Sequence, residues 1–79
     1  MKIINGFLFC NRRWIESDPT PCVINVRNIV TITERTNGQL GKYIGIVVDN
    51  SNLNDEIVVE GNIDDFITDF VKELKLCDY

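Results

Sequence analysis

Residues 62–77 are the most constraining feature of the chain, because they have the pattern of a single amphipathic helix. Asn62 is a good N-cap, and Asp64 and Asp65 lie in the first turn, where the helix dipole favours negative charge. The apolar residues recur at the spacing of one helix face, and they are Ile63, Phe66, Ile67, Phe70, Val71, Leu74 and Cys77. A helix with one apolar stripe needs an apolar surface to cover, so we expect it to pack on the preceding part of the chain.

The preceding residues have the pattern of short strands separated by polar turns. Four segments are predicted strands, namely residues 2–10, 22–34, 43–49 and 56–60, with a kink expected near Arg27 and Asn28 in the second. The Asn37-Gly38 pair that follows the second strand is a strong hairpin signal. The prediction is a single α+β domain over residues 1–79. It consists of a small antiparallel four-stranded sheet, with its last three strands in a meander, and one C-terminal amphipathic helix.

The third predicted strand is apolar on both of its faces, and the same holds for residues 3–9 of the first. Tyr43 and Val47 alternate with Ile44 and Ile46, whereas a sheet covered on one side by a helix is expected to have one polar face. Either the sheet curls into a small barrel, or its second face meets another subunit, and both alternatives stay open at this point. The second alternative predicts a homo-oligomer and makes Tyr43, Ile46 and Val47 candidate interface residues.

Composition argues against several classes of function. The formal net charge is −4 and the basic residues are mostly scattered, which disfavours nucleic-acid binding because an acidic domain repels phosphates. There is no histidine, and Cys10, Cys22 and Cys77 lack the close spacing of a zinc site, so we expect no metal, no cofactor and three free thiols. Free thiols predict a cytoplasmic protein. Asn5 and Gly6 interrupt the apolar run near the amino terminus, so we expect neither a signal peptide nor a membrane span.

Arg12, Arg13 and Trp14 are the one local cluster of cationic and aromatic side chains in the sequence. Arginine is planar and permanently charged, so such a cluster is able to clamp a nucleotide, a phosphate or a peptide. The alternative is that Trp14 closes one end of the core while the arginines pair with nearby carboxylates. With no histidine base, no glycine-rich phosphate loop and no nucleophile in a recognisable setting, we expect no enzymatic activity and no catalytic residues.

The order of motifs over residues 22–76 also has a counterpart in a known family. An asparagine is followed by isoleucine four residues on, then by a meander, a Val-x-Glu strand and one amphipathic helix, and the matching positions are Asn25, Ile29, Val58, Glu60, Ile63, Phe66 and Ile67. This arrangement resembles the small FlbD-like proteins of flagellar operons and their phage-borne relatives. The resemblance implies a small, non-enzymatic accessory protein with no catalytic residues. Residues 1–21 and the hairpin at residues 35–42 lie outside the shared pattern.

Three functional hypotheses follow from the sequence. The first is a small, non-enzymatic module that works through contact with a protein partner and forms a homo-oligomer. The second is a phage inhibitor of a host defence protein, which would use its acidic surface to occupy a basic channel. The third is a small-ligand binder centred on Arg12, Arg13 and Trp14. The absence of alanine and the abundance of Ile, Asn, Asp and Lys point to a low-GC bacterium or one of its phages.

Overall fold

The computed structural model describes residues 1–50 and 53–76, and it consists of an antiparallel sheet followed by one helix. The elements are β1 (Lys2–Ile4), β2 (Phe7–Arg12), β3 (Thr20–Asn25), a 3-10 helix (Val26–Asn28), β4 (Ile29–Asn37), β5 (Gly41–Asn50), β6 (Leu53–Val59) and α1 (Ile63–Leu76). The α+β class and the C-terminal helix are therefore confirmed. The predicted number of four strands is wrong, because the sheet has six strands within the described residues, and over these residues it does not close into a barrel.

One of the additional strands arises from a turn at Asn5 and Gly6. Both residues have positive φ, 52° and 81° respectively, as the two central residues of a tight type I′ hairpin require. Ile4 pairs directly with Phe7 across this turn, so residues 2–10 form the hairpin β1–β2 rather than the single strand that we predicted.

The other additional strand arises where residues 22–34 bend. The side-chain oxygen of Asn25 accepts a hydrogen bond from the backbone N–H of Arg27 at 3.0 Å, which caps the short 3-10 helix. The expected kink is therefore present, and it redirects the chain from β3, which pairs with β2, to β4, which pairs with β5. β3 is an edge strand, and this position tolerates Pro21, which has no N–H to donate.

The meander of β4, β5 and β6 confirms the predicted hairpin at Asn37. Asn37 pairs with Gly41, so the loop between the two strands comprises residues 38–40. Gly41 has a positive φ of 68°. The side-chain oxygen of Asn37 accepts hydrogen bonds from the N–H groups of Gln39 at 2.9 Å and Leu40 at 2.6 Å. Asparagine thus stabilises this turn through its side chain.

The two three-stranded halves of the sheet share one hydrophobic core. Its buried members are Ile3, Leu8 and Ile24 from β1–β3, Ile44, Ile46, Ile57 and Val59 from β5 and β6, and Phe66 from α1. The backbone connection between the halves is short: Arg12 pairs with Val59, and the N–H of Arg13 donates to the carbonyl of Val58 at 2.8 Å. Packing of inward-facing side chains therefore contributes most of the contact between the halves.

The helix α1 packs against the inward face of the sheet and covers the core from that side. Asn62 is its N-cap as predicted, since its side-chain oxygen accepts hydrogen bonds from Asp64 N–H at 2.8 Å and Asp65 N–H at 3.2 Å. Phe66 is buried, whereas Phe70 and Leu74 are half-buried at the margin of the core. The helix is 14 residues long, and within residues 1–50 and 53–76 no helix is long and apolar enough to cross a membrane. Cys77, the last residue of the predicted stripe, lies outside the described residues.

The aromatic residues of the helix are buried to different extents, so they are expected to contribute differently to the free energy of unfolding. Phe66→Ala is expected to lower the free energy of unfolding by about 3–5 kcal/mol, because it removes a buried ring. Phe70→Ala should cost less, since that ring is half-buried, and the exposed Val71→Ala is the matched control, with an expected change of about 0.5 kcal/mol or less. Urea denaturation followed by circular dichroism measures the three values. A larger effect at Val71 than at Phe66 would contradict the described orientation of the helix.

Candidate functional site

Arg12 and Trp14 form a stacked pair at the end of β2. The Arg12 guanidinium carbon lies 4.4 Å from the centroid of the Trp14 ring, which is a cation–π contact. The indole Nε1 donates a hydrogen bond to Thr20 Oγ1 at 2.8 Å. These contacts tie the end of β2 to the start of β3. They also occupy one face of the ring and its single donor, so Trp14 already has partners within the chain.

Arg13 lies in a different environment from its two neighbours in the sequence. It lines an open groove of about 700 Å³ between the ends of β2 and β3 and the first turns of α1, whereas Arg12 and Trp14 do not line this groove. Other residues of its wall include Cys10, Cys22, Val59, Asn62, Asp65, Phe66 and Asp69. The three predicted ligand-binding residues are thus adjacent along the chain but do not converge on one cavity.

The groove is mixed in its chemistry. It combines one arginine with the carboxylates of Glu60, Asp65 and Asp69, and its floor is apolar, with Ile44 and Phe66. Within the described part of the chain, no group of three or more Cys, Asp or Glu side chains is arranged to hold a metal ion. The distinctive groups in the groove are the two thiols of Cys10 and Cys22.

Cys10 and Cys22 are brought together by the pairing of β2 with β3. They are directly opposite each other in the antiparallel register, and both thiols are free and half-buried. Burial raises the pKa of the Cys10 thiol from 9.0 to about 11, and the neighbouring Cys22 adds to this shift. Free thiols at these two positions agree with the sequence prediction, and Cys77 lies outside the described residues. Cys10 and Cys22 show no recognisable spacing motif in the sequence. Their proximity follows from the register of β2 and β3.

The predicted interface residues on β5 lie on two different faces. Ile46 is fully buried in the core, so Val47 and Tyr43 are the residues that point away from it. The Tyr43 hydroxyl donates a hydrogen bond to Glu56 Oε1 at 3.3 Å, and Tyr43 is itself buried. Tyr43 and Ile46 are therefore packed within the chain, and Val47 is half-buried.

An ion pair covers the outward face of β5 between these residues. Arg35 Nη1 and Glu56 Oε2 lie 2.8 Å apart, on the strands that flank β5. A Cβ atom at Gly45 would lie 2.9 Å from that Glu56 oxygen and 3.0 Å from Arg35 Cδ, so the pair lies directly over the glycine. The second apolar face that the sequence predicted is therefore largely covered from within the same chain.

A different apolar surface is exposed on the outward side of β1, β2 and β3. We call it the β1–β3 face, and its large apolar residues are Ile4, Phe7, Phe9 and Val23. Ile4 pairs with Phe7, and Phe9 pairs with Val23, so these four side chains form two adjacent cross-strand pairs. The sequence indicates part of this face, because residues 3–9 carry apolar side chains on both sides of the predicted strand. The Asn5-Gly6 turn places Ile4 and Phe7 on the same side of a hairpin, and the pairing of β2 with β3 adds Val23.

The Arg12–Trp14 contact predicts a measurable protection of the indole ring. Trp14 is the single tryptophan of the chain, so its fluorescence reports this site alone. Arg12→Ala uncovers the ring face under the guanidinium and is expected to increase the acrylamide quenching constant. Arg27→Ala, which removes an exposed arginine elsewhere, should leave quenching unchanged and serves as the control. Equal quenching in both variants would contradict the stacked geometry.

The raised pKa of Cys10 predicts an unusual pH dependence of its alkylation. The thiolate is the reactive form, so in the folded chain the rate at Cys10 should keep rising towards pH 11. In the urea-unfolded chain the rate should level off near the ordinary pKa of 9.0. Iodoacetamide labelling followed by peptide mass spectrometry gives both profiles. Identical profiles for folded and unfolded chains would show that burial does not perturb this thiol.

Comparisons of the chain with protein-family models, with curated proteins and with solved structures find no match.

Proposed function

We propose that this protein is a small, non-enzymatic interaction module that self-associates through the β1–β3 face. The observation that carries the proposal is the exposure of four large apolar side chains on neighbouring strands. Phe7 and Phe9 are each 43% exposed, Ile4 is 46% exposed and Val23 is 55% exposed. Adjacent exposed apolar residues of this size are typical of surfaces that contact another protein.

The distribution of charge supports contact between two copies of the chain. The chain has twelve acidic residues and a net charge of −4, which would oppose association if the contact were acidic. The outward positions of β1, β2 and β3 contain no Asp or Glu, and they are Lys2, Ile4, Phe7, Phe9, Asn11, Pro21, Val23 and Asn25. Repulsion between two copies that meet on this face is therefore small.

The architecture supports the same conclusion. The single helix covers the inward side of the sheet, so the β1–β3 face has no covering element among the described residues. In a two-fold dimer the same patch serves both subunits, so one exposed face is sufficient. A domain of 79 residues buries a limited fraction of its surface, and burial of this face in a dimer would add to its stability.

The other hypotheses have less support from the geometry. The small-ligand hypothesis requires Arg12, Arg13 and Trp14 to act together, and only Arg13 lines the groove. The inhibitor hypothesis requires a concentrated acidic surface, and the carboxylates of Asp64, Asp65 and Asp69 on the helix are the nearest candidates. The resemblance to FlbD-like accessory proteins is in keeping with a non-enzymatic role, and it remains a hypothesis.

The proposal predicts that a charge in the β1–β3 face will separate the subunits. Phe9→Lys places an ammonium group between Phe7 and Val23, and it is expected to convert oligomer into monomer at micromolar concentration. The fold should persist, since the Phe9 side chain is outside the core. Sedimentation velocity measures the mass, and circular dichroism measures the fold.

Two variants control for the position and the chemistry of this change. Val30→Lys introduces the same charge at an apolar residue that is 56% exposed on β4, away from the β1–β3 face. Asn11→Lys introduces it on the same strand and the same side, beyond the apolar cluster. Both should remain oligomeric. A monomeric mass for the unmodified chain would overturn the proposal, and so would dissociation of the Val30 variant together with an intact oligomer for the Phe9 variant.

A further inference from the structure

Cys10 and Cys22 form a geometrically matched pair of thiols on the inward side of the β2–β3 ladder. Cys10 lies two residues from Leu8 on β2, and Cys22 lies two residues from Ile24 on β3. Leu8 and Ile24 are both buried in the core, and they pair with each other across the ladder. Because side chains alternate between the faces of a strand, the two thiols point to the same side of the sheet. Cys22 also contributes to the raised pKa of Cys10, as expected for two neighbouring thiols.

The separation of the backbones at this position suits a covalent bond. The N–H of Val26 donates to the carbonyl of Gly6 at 3.0 Å, which marks that pair as a hydrogen-bonded one. Along an antiparallel ladder, hydrogen-bonded pairs alternate with non-hydrogen-bonded pairs. Cys10 and Cys22 lie four residues along their strands from Gly6 and Val26, so they are also a hydrogen-bonded pair, with a Cα separation of about 5.5 Å. Disulfides join residues whose Cα atoms are roughly 4.4–6.8 Å apart. The Cα separation therefore lies within the range that a disulfide spans, and the two Cβ atoms, about 5.5 Å apart in such a pair, must approach each other by about 1 Å for the bond to form.

The groove gives small reagents a route to these thiols. Cys10 and Cys22 both line it, and neither is fully buried. A thiol sealed in the core would be out of reach. Arg13 lines the same groove and offers a cation to a carboxylate of an entering peptide, beside the carboxylates of Glu60, Asp65 and Asp69.

We propose that Cys10 and Cys22 are a redox modification site that reacts with small disulfides such as oxidised glutathione. The thiolate of one cysteine attacks a sulfur of the glutathione disulfide, which breaks that S–S bond, forms a mixed disulfide and releases one glutathione thiolate. The thiolate of the other cysteine then attacks the protein sulfur of the mixed disulfide and releases the second glutathione. The two thiol protons pass to the two glutathione thiolates, and the products are a Cys10–Cys22 disulfide and two reduced glutathione molecules.

The two steps are expected to have different rates. With a pKa of about 11, Cys10 is almost entirely protonated at neutral pH, so an attack that begins there is slow and accelerates as the pH rises. The second step takes place between neighbouring groups that are already aligned, so the mixed disulfide is short-lived. The site should therefore move from two thiols to one internal disulfide without accumulating the glutathione adduct. This inference is independent of the proposed self-association.

The test uses the full chain with Cys77→Ser, so that Cys10 and Cys22 are the two remaining cysteines. The folded protein is equilibrated with mixtures of oxidised and reduced glutathione, quenched with acid and analysed by intact mass. The expected result is the loss of two hydrogen atoms and of both free thiols, a cross-linked peptide that joins Cys10 to Cys22, and full reversal by excess reductant. Predominant glutathione adducts, or no reaction of the folded chain, would overturn the proposal.

A shift of one thiol by one residue provides the matched control. In the Cys77→Ser chain, Cys22→Ser combined with Val23→Cys keeps two thiols but places them on opposite faces of the sheet. This variant is expected to accumulate glutathione adducts in place of an internal disulfide. The unfolded Cys77→Ser chain in urea gives a second comparison that does not depend on the folding of the control, and it too should favour adducts. Equal yields of internal disulfide in the folded and unfolded chains would overturn the role of the strand register.

Discussion

The shared hydrophobic core is the interaction on which the rest of this structure depends. The pairing of Arg12 with Val59 is the one backbone register pair between β2 and β6, so the ladder alone joins the two halves of the sheet weakly. Leu8 from one half and Ile44 and Ile46 from the other are fully buried, and they hold the halves in contact. The helix is placed by the same core, because its one buried residue among those described, Phe66, packs against it. The core fixes the positions of the helix and of the two halves of the sheet, and these positions determine where the groove and the β1–β3 face lie.

The parts of the fold that the sequence predicted are those determined by local signals. The helix cap at Asn62 and the hairpin at Asn37 depend on side-chain oxygens that bind nearby N–H groups, and such bonds are visible in a few consecutive residues. The same chemistry at Asn25 explains the kink between β3 and β4. The signal for the hairpin at Asn5 and Gly6 is equally local, but the apolar residues on either side of it also fit one strand over residues 2–10, which is why the prediction there is wrong. The number of strands was wrong for that reason and because of the bend at residues 26–28.

The candidate sites were harder to predict because they depend on contacts between distant residues. The sequence pointed to Arg12, Arg13 and Trp14 as neighbours along the chain, and the structure separates Arg13 from the stacked pair. Cys10 and Cys22 showed no metal or redox spacing, and they meet only through the register of β2 and β3. The second face of β5 was expected to need a barrel or a partner. It is covered instead by an ion pair over Gly45, and neither member of that pair belongs to the strand itself.

The surface proposed for contact between copies of this chain is the apolar β1–β3 face, and not β5. The most direct measurement is a concentration series of NMR spectra of the unmodified protein, which follows side-chain signals on both surfaces. If copies meet on the β1–β3 face, the methyl signals of Ile4 and Val23 and the ring signals of Phe9 are expected to shift or broaden as concentration rises. The methyl signals of Val47 should stay constant in the same spectra. Changes confined to Val47, or spectra of a monomer that do not depend on concentration, would contradict contact through this face.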